Sequence, residues 1–233
     1  VKTALVLLAA FAAAAPAAAA PAHRAAAHRA VQRDWTHFVV ATPQGGFRMG
    51  NPAARVKLVE YGSLTCPHCR MFNVTGVKAL EQRYVRTGKV SYEFRSFILN
   101  GPDIAVSLLA RCAGAAGFFP MSDAVYAAQP QWVAKLTGLS AAQKAELQSM
   151  SDAQRMIRIA QVAGLGQLAA RFGVSPARAR QCLSNPAGAR RLAEMAEAAG
   201  KAGVGSTPTF FVNGRHVEAE TWETLEPLLK AGG

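Results

Sequence analysis

Two of the four cysteines in this 233-residue chain stand close together, in Thr65-Cys66-Pro67-His68-Cys69-Arg70. A pair at this spacing can be half a zinc site, a haem anchor, a structural staple or a redox centre. Haem attachment calls for His after the second Cys, and Arg70 stands there. Zinc calls for two further ligands, but Cys112 and Cys182 are isolated in helical patterns, and a second Cys-x-x-Cys or a His-x3-His is absent from the sequence. A staple across so short a loop would constrain little. Redox chemistry remains, with the two sulfurs as the reagents, no metal and no cofactor.

The surrounding elements must place one sulfur where it can react. The run from Ala54 to Ser63 is apolar and β-branched and reads as a strand; a helix is expected from Pro67 to about Arg86, closed by Gly88. Met71, Phe72, Val77, Leu80 and Tyr84 give that helix an apolar face. The next strand reads from Val90 to Leu99, so residues 54–98 form strand–helix–strand, which implies a parallel pair with a crossover helix. Cys66 then sits where the helix begins. Unpaired N–H groups there carry roughly half a positive charge, which stabilises a thiolate. A cationic His68 would add to the effect. Cys69, one turn deeper, is expected to be the shielded, resolving thiol.

The rest of the chain reads as an α/β unit split by helices. A hairpin turning at Gly45-Gly46 precedes the strand. Helical patterns dominate 101–186, including Asp103–Gly117, Ser140–Met150, Asp152–Gly173 and Ser175–Leu183. A helix over Gly188–Gly203, a hairpin at Asn213-Gly214 and a final helix from Thr221 follow. The division expected is 1–20 signal peptide, 21–36 lead-in, 37–100 first part of the α/β unit, 101–186 helical insertion and 187–233 second part. Residues 1–20 have one charge, Lys2, an apolar run of about ten residues broken by Pro16, and alanines before Pro21, which is the pattern of a cleaved export signal rather than a spanning helix of about 20 apolar residues.

Export puts the chain in an oxidising space, where two leftover cysteines usually pair, so Cys112 and Cys182 are expected to form a structural disulfide; two buried free thiols are the alternative. The net charge is +12, and +11 once Lys2 is removed. The basic residues are scattered without interleaved aromatics, which reads as a solvated surface and no nucleic-acid partner. The chain is expected to act as a monomer.

The segments Val56–Phe72 and Gly203–Arg215, with the helical insertion between them, resemble the DsbA-like thiol:disulfide interchange proteins of bacterial envelopes. The Cys66-Pro67-His68-Cys69 centre and the later Thr207-Pro208-Thr209-Phe210 segment carry the resemblance. It implies a thioredoxin fold interrupted by a helical domain, and a cis bond at Thr207-Pro208 facing Cys66, where an unfolded client could pair as an added strand. It also implies that Glu60 is a buried acid beneath the cysteines, exchanging a proton with Cys69. An edge carboxylate paired with Lys57 or Arg95 is the other reading of Glu60. Phe210 and Phe211 read as core.

The expectation is a periplasmic oxidase that donates the Cys66–Cys69 disulfide to reduced exported proteins and is reoxidised by a quinone-linked membrane partner resembling DsbB. Two rivals stand beside it. One is an isomerase or reductase kept reduced by a membrane donor; Thr207 favours it, since the best-known oxidases of the family carry Val there. The other is a thioredoxin-like binding or copper-handling module, for which only Met71 and His68 are in place.

Overall fold

A computed structural model describes residues 33–232 together with Val1. The expected signal segment, 1–20, and most of the lead-in lie outside the described residues. Among the described residues, no helix is long and apolar enough to cross a membrane.

Six strands form one sheet: β1 (Val39–Ala41), β2 (Phe47–Met49), β3 (Val56–Gly62), β4 (Val90–Ser96), β5 (Thr209–Val212) and β6 (Arg215–Val217). Their order is β1-β2-β4-β3-β5-β6. Only β3 and β4 run parallel, as a strand–helix–strand crossover requires. The period of two along β3 buries Val56, Leu58, Glu60 and Gly62 on one face and leaves Lys57, Val59 and Tyr61 half-covered. Glu60 therefore shares the core face with Leu58. The β5–β6 turn is made by Asn213 and Gly214, at φ 51° and 79°, the left-handed pair that suits a two-residue hairpin.

The crossover corrects one expectation. It begins as α1 (Pro67–Phe72), passes through a π-helical segment (Asn73–Val77) and a short α2 (Lys78–Leu80), and ends in a second π-helical segment (Glu81–Val85). Each π segment adds a residue to the turn. The buried positions are accordingly Phe72, Val77, Leu80 and Val85, two of the steps being five residues long. Met71, expected on the apolar face, is 51% exposed, and Tyr84 is only half-buried.

The helical portion comprises α3 (Gly101–Cys112), α4 (Gly114–Ala127), α5 (Gln129–Thr137), α6 (Ala141–Ser149), α7 (Asp152–Ala163), α8 (Leu165–Ala170) and α9 (Pro176–Leu183). The chain then forms α10 (Pro186–Lys201) and, after the hairpin, α11 (Trp222–Ala231). Side chains of Asn100, Ser140, Ser151, Ser175, Asn185 and Thr221 cap six of these helices. The pattern over Asp152–Gly173 is two helices rather than one, because Gly164 takes a left-handed φ of 75° between α7 and α8. Apolar side chains of the sheet and of the helical portion belong to one continuous core.

Cys112 at the end of α3 and Cys182 in α9 are disulfide-bonded across 70 residues of sequence. Closing a loop of this size restricts the unfolded chain by about 4 kcal/mol in the chain-entropy model. Replacing both by Ala should lower the urea midpoint by a corresponding amount and leave the rate of disulfide transfer at Cys66 unchanged. Equal midpoints for the two proteins would contradict the first half, and a lost transfer rate the second.

Candidate active site

The loop between β3 and α1 delivers Cys66 to the N-cap of α1, with Pro67 at the first helical position. Cys66 uses its own sulfur as the cap. Its Sγ accepts the Cys69 backbone N–H at 3.4 Å. The thiol group can donate to the Thr207 carbonyl at 3.3 Å. Thr207-Pro208 is a cis peptide bond, and the Thr207 carbonyl just ahead of β5 lies against the reactive sulfur. Cys66 and Cys69 are not bonded to each other; this is the dithiol form.

The two thiols are driven apart electrostatically. Cys66 is held down from 9.0 to about 5, first by a hydrogen bond from the Cys69 side chain, then by the Thr207 side chain and the backbone N–H groups of Cys69 and His68, against the opposing effect of burial. Cys69 is fully buried and pushed well above 9.0, by burial first and then by its hydrogen bond to Cys66 and the charges of Glu60 and Cys66. At neutral pH the pair is one thiolate at the mouth and one thiol inside. His68 is exposed, with Nδ1 4.0 Å from Glu220 Oε2, so any imidazolium charge there is shared with a carboxylate as well as with the sulfur.

Glu60 is 1% exposed, which removes the edge-carboxylate reading. Lys57 is instead held by the Pro52 and Ala54 carbonyls, and Arg95 pairs with Glu93 at 2.7 Å. Tyr92 on β4 donates its hydroxyl to Glu60 Oε2 at 2.5 Å. Burial raises the Glu60 carboxyl to about 8 against the lowering effect of that hydrogen bond, and charges on Cys66 and Asp123 add to the rise. Gly62 makes room for the other oxygen. A Cβ there would stand 2.8 Å from Glu60 Oε1 and 2.5 Å from the Phe94 ring. The next backbone N–H, that of Ser63, points at Cys69 Sγ from 3.5 Å.

Three residues outside the sequence-based candidates hold the loop that carries Cys66. Asp103, in the first turn of α3, accepts the Leu64 and Leu99 N–H groups, both at 3.1 Å. The Tyr126 hydroxyl at the end of α4 donates to the Ser63 carbonyl at 3.0 Å. Gln129, opening α5, donates its side-chain amide to the Leu64 and Cys66 carbonyls, each at 3.0 Å. All three are buried. Backbone groups of Ser63, Leu64 and Cys66 that a loop would leave open to water are thus satisfied by the helical portion. Of the three, Asp103 alone lies in a segment with a clear helical pattern; Tyr126 and Gln129 sit at the end of one helix and the start of the next, and share no face that periodicity could reveal.

The arrangement can perform thiol–disulfide exchange. It has a nucleophilic, good leaving-group sulfur at a helix end, a second thiol behind it, a buried acid near the second thiol, and backbone beside the first. Among the described residues, no cluster of three or more His, Cys, Asp or Glu could hold a metal.

Residues 42–231 match the family model described as Thioredoxin. A Rickettsia bellii protein bearing the name of a protein-disulfide oxidoreductase is 32% identical over 173 residues, 73% of this chain and 58% of that one. The chain thus spans a little over half the length of such curated relatives. A crystal structure of protein-disulfide isomerase from Novosphingobium aromaticivorans is 32% identical, with a TM-score of 0.74, over 79% of this chain and 95% of that one. Wolbachia pipientis alpha-DsbA1 shares the fold at 20% identity, with a TM-score of 0.65, over 82% of this chain and 91% of that one. On these matches and on a thioredoxin sheet interrupted by helices, the chain belongs to the thioredoxin family.

Proposed function

We propose that this protein is a thiol:disulfide oxidoreductase of the bacterial periplasm that donates the Cys66–Cys69 disulfide to reduced exported proteins. The observation that carries the reading is the opposed pair of thiols, Cys66 held down to about 5 and Cys69 well above 9.0. A client thiolate attacks Cys66 Sγ, the Cys66–Cys69 bond breaks, and Cys69 leaves with the electron pair. Glu60, near 8 and so mostly protonated at pH 7, supplies a proton to Cys69. A second client thiolate then attacks the client sulfur of the mixed disulfide and expels Cys66 as a thiolate. The client has lost two electrons and the protein has gained them. The Thr207 backbone beside the sulfur offers an unfolded client a strand partner that does not depend on its sequence. The protein acts as a monomer without cofactor, and a quinone-linked membrane protein resembling DsbB returns it to the disulfide form.

The experiment is direct. The disulfide form is mixed with a reduced two-cysteine client, and both partners are followed by thiol counting. One client disulfide should appear for each Cys66–Cys69 bond lost. A client that stays reduced would end the oxidase reading. The isomerase reading is favoured by the name the Novosphingobium relative bears and by Thr207 before Pro208. It predicts instead that the dithiol form reshuffles a scrambled client faster than the disulfide form oxidises a reduced one.

A further inference from the structure

Two more half-buried carboxyl groups act on the Glu60–Tyr92 pair, and the exchange chemistry does not use them. Asp123 on α4 and Glu81, the first residue of the second π segment, line one cavity of about 390 Å³. His37, Val39, Met49 and Phe119 also line it. Tyr92 stands between the lining of this cavity and Glu60. Met49 is the register partner of Tyr92, and Phe119 packs on the Tyr92 ring with centroids 5.4 Å apart. The hydroxyl of that same tyrosine is bonded to Glu60. The first π segment fixes the geometry at its start, where Asn73 donates its side-chain amide to Asp123 Oδ1 at 2.8 Å.

The titratable groups facing Glu60 are Tyr92 from β4, Cys66 and Cys69 around the start of α1, and Asp123 and Tyr126 from α4. Those lining the cavity are Glu81, Asp123 and His37. The nearest cation along α1, Arg70, is held by the Tyr126 carbonyl. Among the described residues, no ion pair reaches Glu60, Glu81 or Asp123. The charge of Asp123 is felt at Glu60, and that of Glu81 at Tyr92, whose hydroxyl is bonded to Glu60, across aromatic and thioether side chains that screen poorly.

We propose that Asp123 and Glu81 are positioning residues for disulfide exchange: their ionisation, set through the cavity they line, holds the proton on Glu60 and so fixes the pH at which Cys69 can exchange it. The inference rests on the reading of Glu60 as the proton partner of Cys69. The charges around Glu60 act in the direction this requires. The charge of Asp123 raises Glu60, and burial with the charge of Asp123 raises Glu81 itself to about 7. Burial raises Asp123 as well, and its charge in turn raises both Glu60 and Glu81, so its ionisation opposes theirs.

The test follows the Glu60 carboxyl by carbon-13 NMR across pH in the full-length dithiol protein, as native and as Asp123→Asn, Glu81→Gln and the double variant, with the pH profile of client oxidation measured alongside. The Glu60 midpoint should fall in each variant, by about one unit in the double variant. The matching limb of the pH profile should move with it. Asp123→Glu, which keeps the charge, should restore the native midpoint and so separate charge from packing. A Glu60 midpoint unmoved in the double variant would overturn the inference and leave the role of Glu60 standing. A Glu60→Gln protein with the native pH profile would overturn the role of Glu60, and with it the claim that the outer acids set the exchange.

Discussion

Alkylation of the dithiol protein across a pH series should label Cys66 with a midpoint near pH 5 and leave Cys69 unmodified up to pH 9.0. The midpoint is the quantity to read, rather than the plateau rate. An ordinary thiol near 8.5 is only a few per cent ionised at pH 7, and Cys66 about 99%. Intrinsic nucleophilicity falls as the thiol becomes more acidic, so the rate gain at pH 7 is smaller than the gain in thiolate. Cys69 is protected twice, by complete burial and by its raised pKa. Equal labelling of the two sulfurs, or a Cys66 midpoint near 8.5, would remove the electrostatic basis of the site.

Urea unfolding should find the dithiol form more stable than the disulfide form at neutral pH, the reverse of an ordinary structural disulfide. The Cys66 value is depressed in the fold. Its stabilising contribution is therefore complete above the unfolded value of about 9.0 and is lost as pH falls through about 5. At pH 7 it amounts to roughly 3 kcal/mol. A disulfide closing so short a loop stabilises the other form by about 2 kcal/mol. The dithiol form should lead by on the order of 1 kcal/mol at pH 7 and by about 3 kcal/mol near pH 9, and should trail below pH 5. The raised value of Cys69 enters only above this window. A disulfide form that is the more stable at every pH would place the protein with the reductases.

Much of the sheet and both cysteines of the site could be read from residue pattern. The apolar strand before Cys66, the Asn213-Gly214 turn and Pro67 at the helix start are local signals with local causes. The supports were less legible. Helices α4 and α5 escaped the pattern because Pro120 lies inside one and Pro130 near the start of the other, and proline reads as a breaker. Those helices carry Tyr126 and Gln129, so two of the three clamps on the Cys66 loop went unseen with them. The π segments were also invisible, since a 3.6-residue period places Met71 inward where the five-residue steps place it in solvent. The environment of Glu60 depends on Tyr92, 32 residues away in sequence, and on a glycine whose missing side chain makes the room. Such tertiary coincidences leave no periodic trace.

The most direct measurement of the central claim is the equilibrium of the Cys66–Cys69 pair with a glutathione redox buffer at pH 7, read by thiol trapping. Stabilising the thiolate stabilises the dithiol, and roughly 3 kcal/mol corresponds to about 60 mV for a two-electron couple. The account predicts a midpoint of about −210 mV or higher, roughly 60 mV above a thioredoxin-like −270 mV, so that the protein oxidises thiols in the presence of glutathione. A midpoint near −270 mV would make the pair a reductant and contradict it.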